Sequence, residues 1–440
     1  MGFLPTETFI QIFSFLDGND LVSCAQHRLA QFRQYYIPGG YIHGRCFFLR
    51  KIEFVVLLPE YDSTARAVYE TEATQAQNNE IFTKAVSSLW QILAQWPTIE
   101  YRAVLSLSSE SPSDFHAQNR DQQLDRLLMN QRFPEQDLLD GRYDHSFLGL
   151  TKDPDIPLVA FIAELLWVDS PSSRHVSPAA FSTLVSRLPR LQSLEATFRD
   201  TQEDEGTRIR LRNEFATTIA NWPKSLKRLK LVYHAHCPDD ETATPQQLSV
   251  RGMDPLNRAL NKISKQLETI ELDGLMISPE LFGTSSEAED GAYWPKLVHV
   301  SFSFPKATPS GQWLFERDVT WIGASAEQKI YKFRTLPNPN LTEIYVAAGE
   351  AAQQMPYLRS MRLVSSMAHA DWVDAGDIPQ HWFFYQPEAK KVSWVGTSTF
   401  NLSEEVQMAW EAAGKTHGAE GLTIENCKFS RNAPGPFEVF

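Results

Sequence analysis

Leu226-Lys227-Arg228-Leu229-Lys230-Leu231 decides how this chain is read. Its apolar residues fall at the first, fourth and sixth positions. In an extended backbone successive side chains point to opposite faces, so Leu229 and Leu231 share one face and Lys230 takes the other. Trp222-Pro223 stands just upstream. Proline ends a preceding helix and pushes the residue before it towards extended conformations. The unit so predicted is a strand with one buried face, entered from a helix.

The same spacing recurs at Ile162/Leu165/Trp167, Leu191/Leu194/Ala196, Leu267/Ile270/Leu272, Leu297/Val300/Phe302, Leu341/Ile344/Val346 and Leu358/Met361/Leu363. Weaker copies stand at Ala389/Val392/Trp394 and Ala419/Leu422/Ile424. Trp96-Pro97, Leu188-Pro189 and Trp294-Pro295 repeat the punctuation. A unit that cannot cover its own apolar face must stack on its neighbours. The prediction is an α/β fold: an irregular leucine-rich-repeat-like solenoid with a parallel sheet over residues 45–440. Within it, residues 51–58 read as a buried strand and 78–96 as a helix. Residues 106–157, Ser-rich and acidic at their ends, read as a long insertion.

With the paired apolar positions inward, the residue between them points outward. That gives the row Glu195, Lys230, Glu271, Ser301, Tyr345, Arg362, Ser393 and Thr423, flanked by Arg228, Thr269, His299, Glu343 and Lys391. Mixed charge with an aromatic suits a protein-binding surface, so Glu195, Lys230, Glu271, Tyr345 and Arg362 are the expected substrate-binding residues.

Among 440 residues, 54 are acidic and 41 basic, a formal net charge of −13. Nonspecific nucleic-acid binding needs a positive field, so no nucleic-acid partner is expected. The four cysteines, Cys24, Cys46, Cys237 and Cys427, are far apart and form no CxxC pair. They read as buried free thiols in a reducing compartment. The longest apolar stretch, 157–168, contains Glu164 and is too short to span a bilayer. Glu7 and polar residues interrupt any signal-type run at the start. A soluble protein of the cytoplasm or nucleus, with no membrane partner, is expected.

His234-Ala235-His236-Cys237 has residue types that bind metal or act as nucleophiles. No further group at ligand spacing accompanies it, and it reads as a solvated loop just past the strand. Walker, Gly-x-Gly-x-x-Gly, His-Glu-x-x-His and Gly-x-Ser-x-Gly patterns do not occur. The expectation is a non-enzymatic protein without catalytic residues, metal or cofactor.

The first forty residues form a separate unit, 1–40. Phe9, Ile12, Phe13 and Leu16 fall at i, i+3, i+4 and i+7, one apolar helical stripe. Pro5 and Glu7 suit the first turn of that helix. Asp17-Gly18-Asn19-Asp20 ends it, and Leu21, Val22, Cys24 and Ala25 begin a second. A third is expected around His27 to Tyr36, and Pro38-Gly39-Gly40 closes the unit.

Leu4, Pro5, Glu7, Ile12, Phe13, Leu16, Asp20 and Leu21 stand where the F-box pattern has Leu-Pro-x-Glu, Ile-Phe-x-x-Leu and Asp-Leu. Past Ala25 the text Gln26-His27-Arg28-Leu29 is shorter than the family's third helix and lacks its valine. With degenerate leucine-rich repeats downstream, the chain resembles the large F-box families of filamentous fungi. The resemblance implies the substrate-recognition subunit of an SCF-type cullin ubiquitin ligase. Leu4, Pro5, Glu7, Phe9, Ile12, Phe13, Leu16 and Leu21 would dock on a Skp-family adaptor, and through it a cullin, while the body holds a protein substrate. The alternative is a repeat scaffold that binds proteins without a ligase role.

Overall fold

The computed structural model describes residues 9–14, 50–62, 64–65, 68–96, 102–114, 142–143, 146–152, 154–167, 174–200, 204–235, 237–238, 240–283, 294–318, 334–366, 380–396 and 398–428. The chain forms two compact units. Unit 1 is Met1–Gln202 with Asn221–Leu226, and unit 2 is Glu203–Ala220 with Lys227–Phe440. Each is built on a sheet that is wholly or mostly parallel, with helices between strands, the α/β class that the repeat spacing predicts.

In unit 1 the sheet runs β1 (Phe9–Ser14), β2 (Lys51–Leu57), β3 (Ala103–Glu110), β4 (Ile162–Trp167) and β5 (Ser193–Asp200), each parallel to the next. Alternation sets the buried face: Ile52, Phe54 and Val56 of β2, and Leu194, Ala196 and Phe198 of β5. Helix α1 (Glu72–Leu93) starts at Thr71, whose hydroxyl accepts from the Thr74 amide. Helix α2 (Pro178–Ser186) starts at Ser177, with proline in its first turn. Phe82, Val86, Leu89 and Trp90 form the buried stripe of α1. Phe82, Trp167, Phe181 and Phe198 meet edge to face in sequence, at centroid separations of 6.2, 5.9 and 5.4 Å. Each such contact adds about 0.5–1.5 kcal/mol beyond area burial.

Two expectations fail in unit 1. Over Phe9–Ser14 the predicted helix is a strand, in register from Phe9 opposite Lys51 to Ser14 opposite Val56. Phe-Ile-Gln-Ile-Phe-Ser is rich in β-branched and aromatic residues, and so short an apolar run fits both periods. Pairing with β2 decides it. Leu4, Pro5, Glu7, Leu16 and Leu21 lie outside the described residues. The stretch read as an insertion begins inside β3, where Leu107 is a core residue between Ser106 and Ser108. Residues 115–141 also lie outside the described residues.

In unit 2, β6 (Arg228–Ala235), β7 (Thr269–Asp273) and β8 (His299–Phe304) run parallel. A small antiparallel pair follows, β9 (Phe315–Arg317) with β10 (Arg334–Pro337). The main sheet resumes with β11 (Ser360–Ser366) parallel to β8, then β12 (Gln380–Gln386), β13 (Lys391–Gly396) and β14 (Thr423–Lys428). β12 is antiparallel to both its neighbours, and β13 and β14 are parallel. The helices are α3 (Glu205–Ile219), α4 (Pro255–Ser264), α5 (Pro339–Ala352) and α6 (Glu404–Thr416). Asp204, Asp254, Asn338 and Ser403 cap them, each side chain accepting a backbone N–H.

The tryptophan–proline punctuation has a physical role. The Trp294 indole donates to Ser264 Oγ at the end of α4, at 2.7 Å. In unit 1 the Trp222 indole does the same to Ser182 of α2, at 2.6 Å. Gly349 lets α5 approach α6 closely, since a Cβ there would lie 2.9 Å from Ala409 Cβ. Among the described residues, no helix is long and apolar enough to cross a membrane.

Candidate functional site

The strand spacing places a polar row on unit 2. Lys230, Glu271, Ser301 and Arg362 stand opposite one another across β6, β7, β8 and β11. Arg228, Thr269, His299 and Ser360 form the next row, with His299 Nδ1 2.9 Å from Ser360 Oγ. The residues between them, Leu229, Leu231, Ile270, Leu272, Val300, Phe302, Met361 and Leu363, are buried. Glu271, Asp273, Arg228 and His299 are exposed, and Lys230 and Arg362 half-buried. The sheet thus brings both charge signs together on the face opposite its apolar one.

Beyond Arg362 the face changes character. Phe384 of β12 lies opposite Arg362, and Trp382 opposite Val364. Val364, Trp382 and Phe384 form their own buried apolar cluster. β12 lacks the repeat spacing, and the sequence reading missed it.

Tyr345 is not on this row. It lies on α5 and is fully buried against His381, Phe383, Trp394 and Phe400, with centroids 5.1–5.9 Å away. Leu341, Ile344, Tyr345 and Ala348 recur at helical period, and Asn338-Pro339 caps the segment. Glu343 is on the same helix, where it pairs with Arg251 at 2.5 Å. Ser393 is buried on β13, and Thr423 is exposed on β14. Glu195 belongs to unit 1, half-buried on β5 opposite Leu166 of β4. Phe9, Ile12 and Phe13 are strand residues in the backbone of β1.

The His234 cluster starts within β6, not after it. His234 is exposed near the strand end, and the expected burial of the cysteines is not met, since Cys237 is half-buried and Cys427 on β14 is exposed. His236 lies outside the described residues. No group of three or more His, Cys, Asp or Glu able to hold a metal occurs among the described residues.

Two buried ion pairs stand out among the described residues of unit 2. Arg212 binds Asp254 through two hydrogen bonds, 2.8 and 2.9 Å, and Asp254 also caps α4 through the Asn257 amide at 2.7 Å. Burial raises the Asp254 pKa, but the Arg212 charge and these donors outweigh it and hold it below the usual carboxylate value. Lys306 pairs with Glu241, which also accepts from the Arg334 amide at 2.6 Å. Burial pushes the Lys306 ammonium down despite that partner. Both pairs are tied to secondary-structure ends and hold loops in place.

No curated protein matches the chain. Over residues 221–434, which span β6 to β14, the chain is similar to DUF6546, a family of unknown function.

Proposed function

We propose that the chain is the substrate-recognition subunit of an SCF-type cullin ubiquitin ligase. The observation that carries this is the F-box-like text from Leu4 to Leu21, set ahead of a strand-and-helix body with a mixed-charge face. In this reading Leu4, Pro5, Glu7, Phe9, Ile12, Phe13, Leu16 and Leu21 meet a Skp-family adaptor, which links the chain to a cullin. Lys230, Glu271 and Arg362 then contact a protein substrate. An amphipathic helix buries its stripe in a partner groove. Docking therefore requires Phe9–Ser14 to leave β2 and coil.

One observation favours a second reading. As β1, Phe9–Ser14 covers an edge of β2, and covered edges protect a sheet from stray pairing. A protein-binding scaffold without a ligase role needs no more from this segment. Co-purification with a Skp-family adaptor separates the two. The proposal expects a complex with the full chain, lost when Leu4, Pro5 and Ile12 are replaced by alanine while circular dichroism of the body is unchanged. Absence of a complex, or a complex that survives the triple substitution, overturns the ligase reading.

A further inference from the structure

The polar face of the unit 2 sheet is most open at its acidic strand. Glu271 and Asp273 of β7 are exposed there, with half-buried Ser301 and Ser303 opposite them on β8 and half-buried Lys230 and Val232 on β6. Side chains two apart on one strand face lie about 6.5 Å from each other, so the two carboxylates form a short ridge of like charge. Such neighbours repel unless a cation is placed against them.

The charges of this face are unevenly used. Arg228, Lys230 and Arg362 interact with other groups of the chain. Glu271 and Asp273 form no hydrogen bond or ion pair among the described residues, although Lys230 stands in register with Glu271. Elsewhere on the sheet such acids are paired. Glu268, one residue before β7, takes Lys227, and Glu425 of β14 takes Lys391, each at 2.8 Å. The hydroxyls of Ser301 and Ser303 are also without partners among the described residues. The charge this face has left to offer is therefore negative, beside two small groups able to donate or accept. The net charge of −13 adds a long-range attraction for basic partners.

We propose that this face docks a basic extended segment of the bound protein, with two arginine or lysine side chains two residues apart set against Glu271 and Asp273, and Ser301 and Ser303 bonding its peptide groups. The alternation of an extended chain matches the spacing of the ridge. Exposed ion pairs contribute modestly, so the ridge selects partners and speeds encounter more than it adds affinity. The inference rests on the protein-recognition reading but not on its ligase half, since adaptor docking plays no part in it.

The test titrates the full chain by NMR, at about 20 mM salt, with an acetylated Arg-Thr-Arg-Thr-Arg amide and with its Glu-Thr-Glu-Thr-Glu counterpart. The expected result is saturable binding of the basic peptide alone, weakened at least about threefold by Glu271→Gln with Asp273→Asn. Glu404→Gln with Glu405→Gln removes the same charge from the first turn of α6 and should leave binding unchanged. Without peptide, the β7 double variant should unfold at the wild-type temperature or higher, because two unpaired like charges are gone. The proposal is overturned if the wild type does not bind the basic peptide, or if the two double variants weaken it equally, which would mean attraction to the net charge only. Equal binding of the acidic peptide, or a lowered unfolding temperature for the β7 variant, also overturns it. Adaptor co-purification is scored separately, so a failed titration with the adaptor complex intact overturns the ridge alone.

Discussion

Asp114 in unit 1 and Asp254 in unit 2 are both buried, yet their environments act in opposite directions. Asp114 is held by neutral donors: the hydroxyls of Tyr61 and Tyr143, the latter at 2.8 Å, and the Ser111 amide at 2.9 Å. Burial outweighs them and raises its pKa. Asp254 adds a bidentate guanidinium to its donors, and its pKa falls. Neutral hydrogen bonds with a cation out of contact leave the desolvation of Asp114 unmatched, whereas the bidentate Arg212 outweighs that of Asp254. A charge also acts on Asp114, but from a distance and less than its hydrogen bonds: Arg174 pairs with Glu70 and lies 4.0 Å from the Tyr143 ring.

The largest effect expected from this contrast comes from breaking the charged pair. Arg212→Ala leaves Asp254 buried without its cation and should cost about 3–5 kcal/mol in denaturant unfolding. A loss under about 1 kcal/mol would mean that the pair contributes little. Tyr345→Ala should cost a similar amount, about 3–5 kcal/mol, because it empties the centre of an aromatic cluster. A surface residue would cost under about 0.5 kcal/mol, so the same melt tests the helical placement of Tyr345.

Acid should sharpen the contrast further. The low pKa of Asp254 gives stability present above the usual carboxylate range and lost as pH falls through its folded value. His381, fully buried, is pushed from 6.5 down to about 3, so its contribution is present above 6.5 and drains away as pH falls towards 3. Asp114 has the opposite sign: its contribution is present at low pH and lost as pH rises through its raised value. Hydrogen exchange at about pH 7 and about pH 5 should show β12 losing protection on acidification more than β3. Equal loss in the two strands would contradict these assignments. A smaller stability effect is expected of Tyr61→Phe, which removes one neutral donor from Asp114 and should cost about 1–2 kcal/mol. Lys230→Ala with Arg362→Ala should change stability less than that but weaken substrate capture by about 2 kcal/mol.

The strand half of the body was legible because Leu226-x-x-Leu229-x-Leu231 and its copies report one buried face. The same spacing misled at Leu341/Ile344/Val346, where Asn338 accepts from the amides of Asn340 and Leu341 and starts a helix. Spacing alone does not separate the two periods over six residues, but the cap does. β3 was hidden by Ser106, Ser108 and Ser109, the last on the buried face itself, and β12 by a continuous aromatic run, His381-Trp382-Phe383-Phe384-Tyr385. Of the expected substrate row, Lys230, Glu271 and Arg362 share a face, because strand register carries them there.

The N-terminal segment carries the central claim, because Phe9–Ser14 pairs as a strand with β2 while adaptor docking demands a helix. Segmental labelling of residues 9–14 in the full chain, with Cα chemical shifts read before and after adding a Skp-family adaptor, measures this directly. The account predicts extended shifts in the free chain and helical shifts in the complex. Extended shifts under both conditions, at adaptor concentrations that saturate a known F-box protein, would contradict it and leave the segment as an edge strand of a binding scaffold.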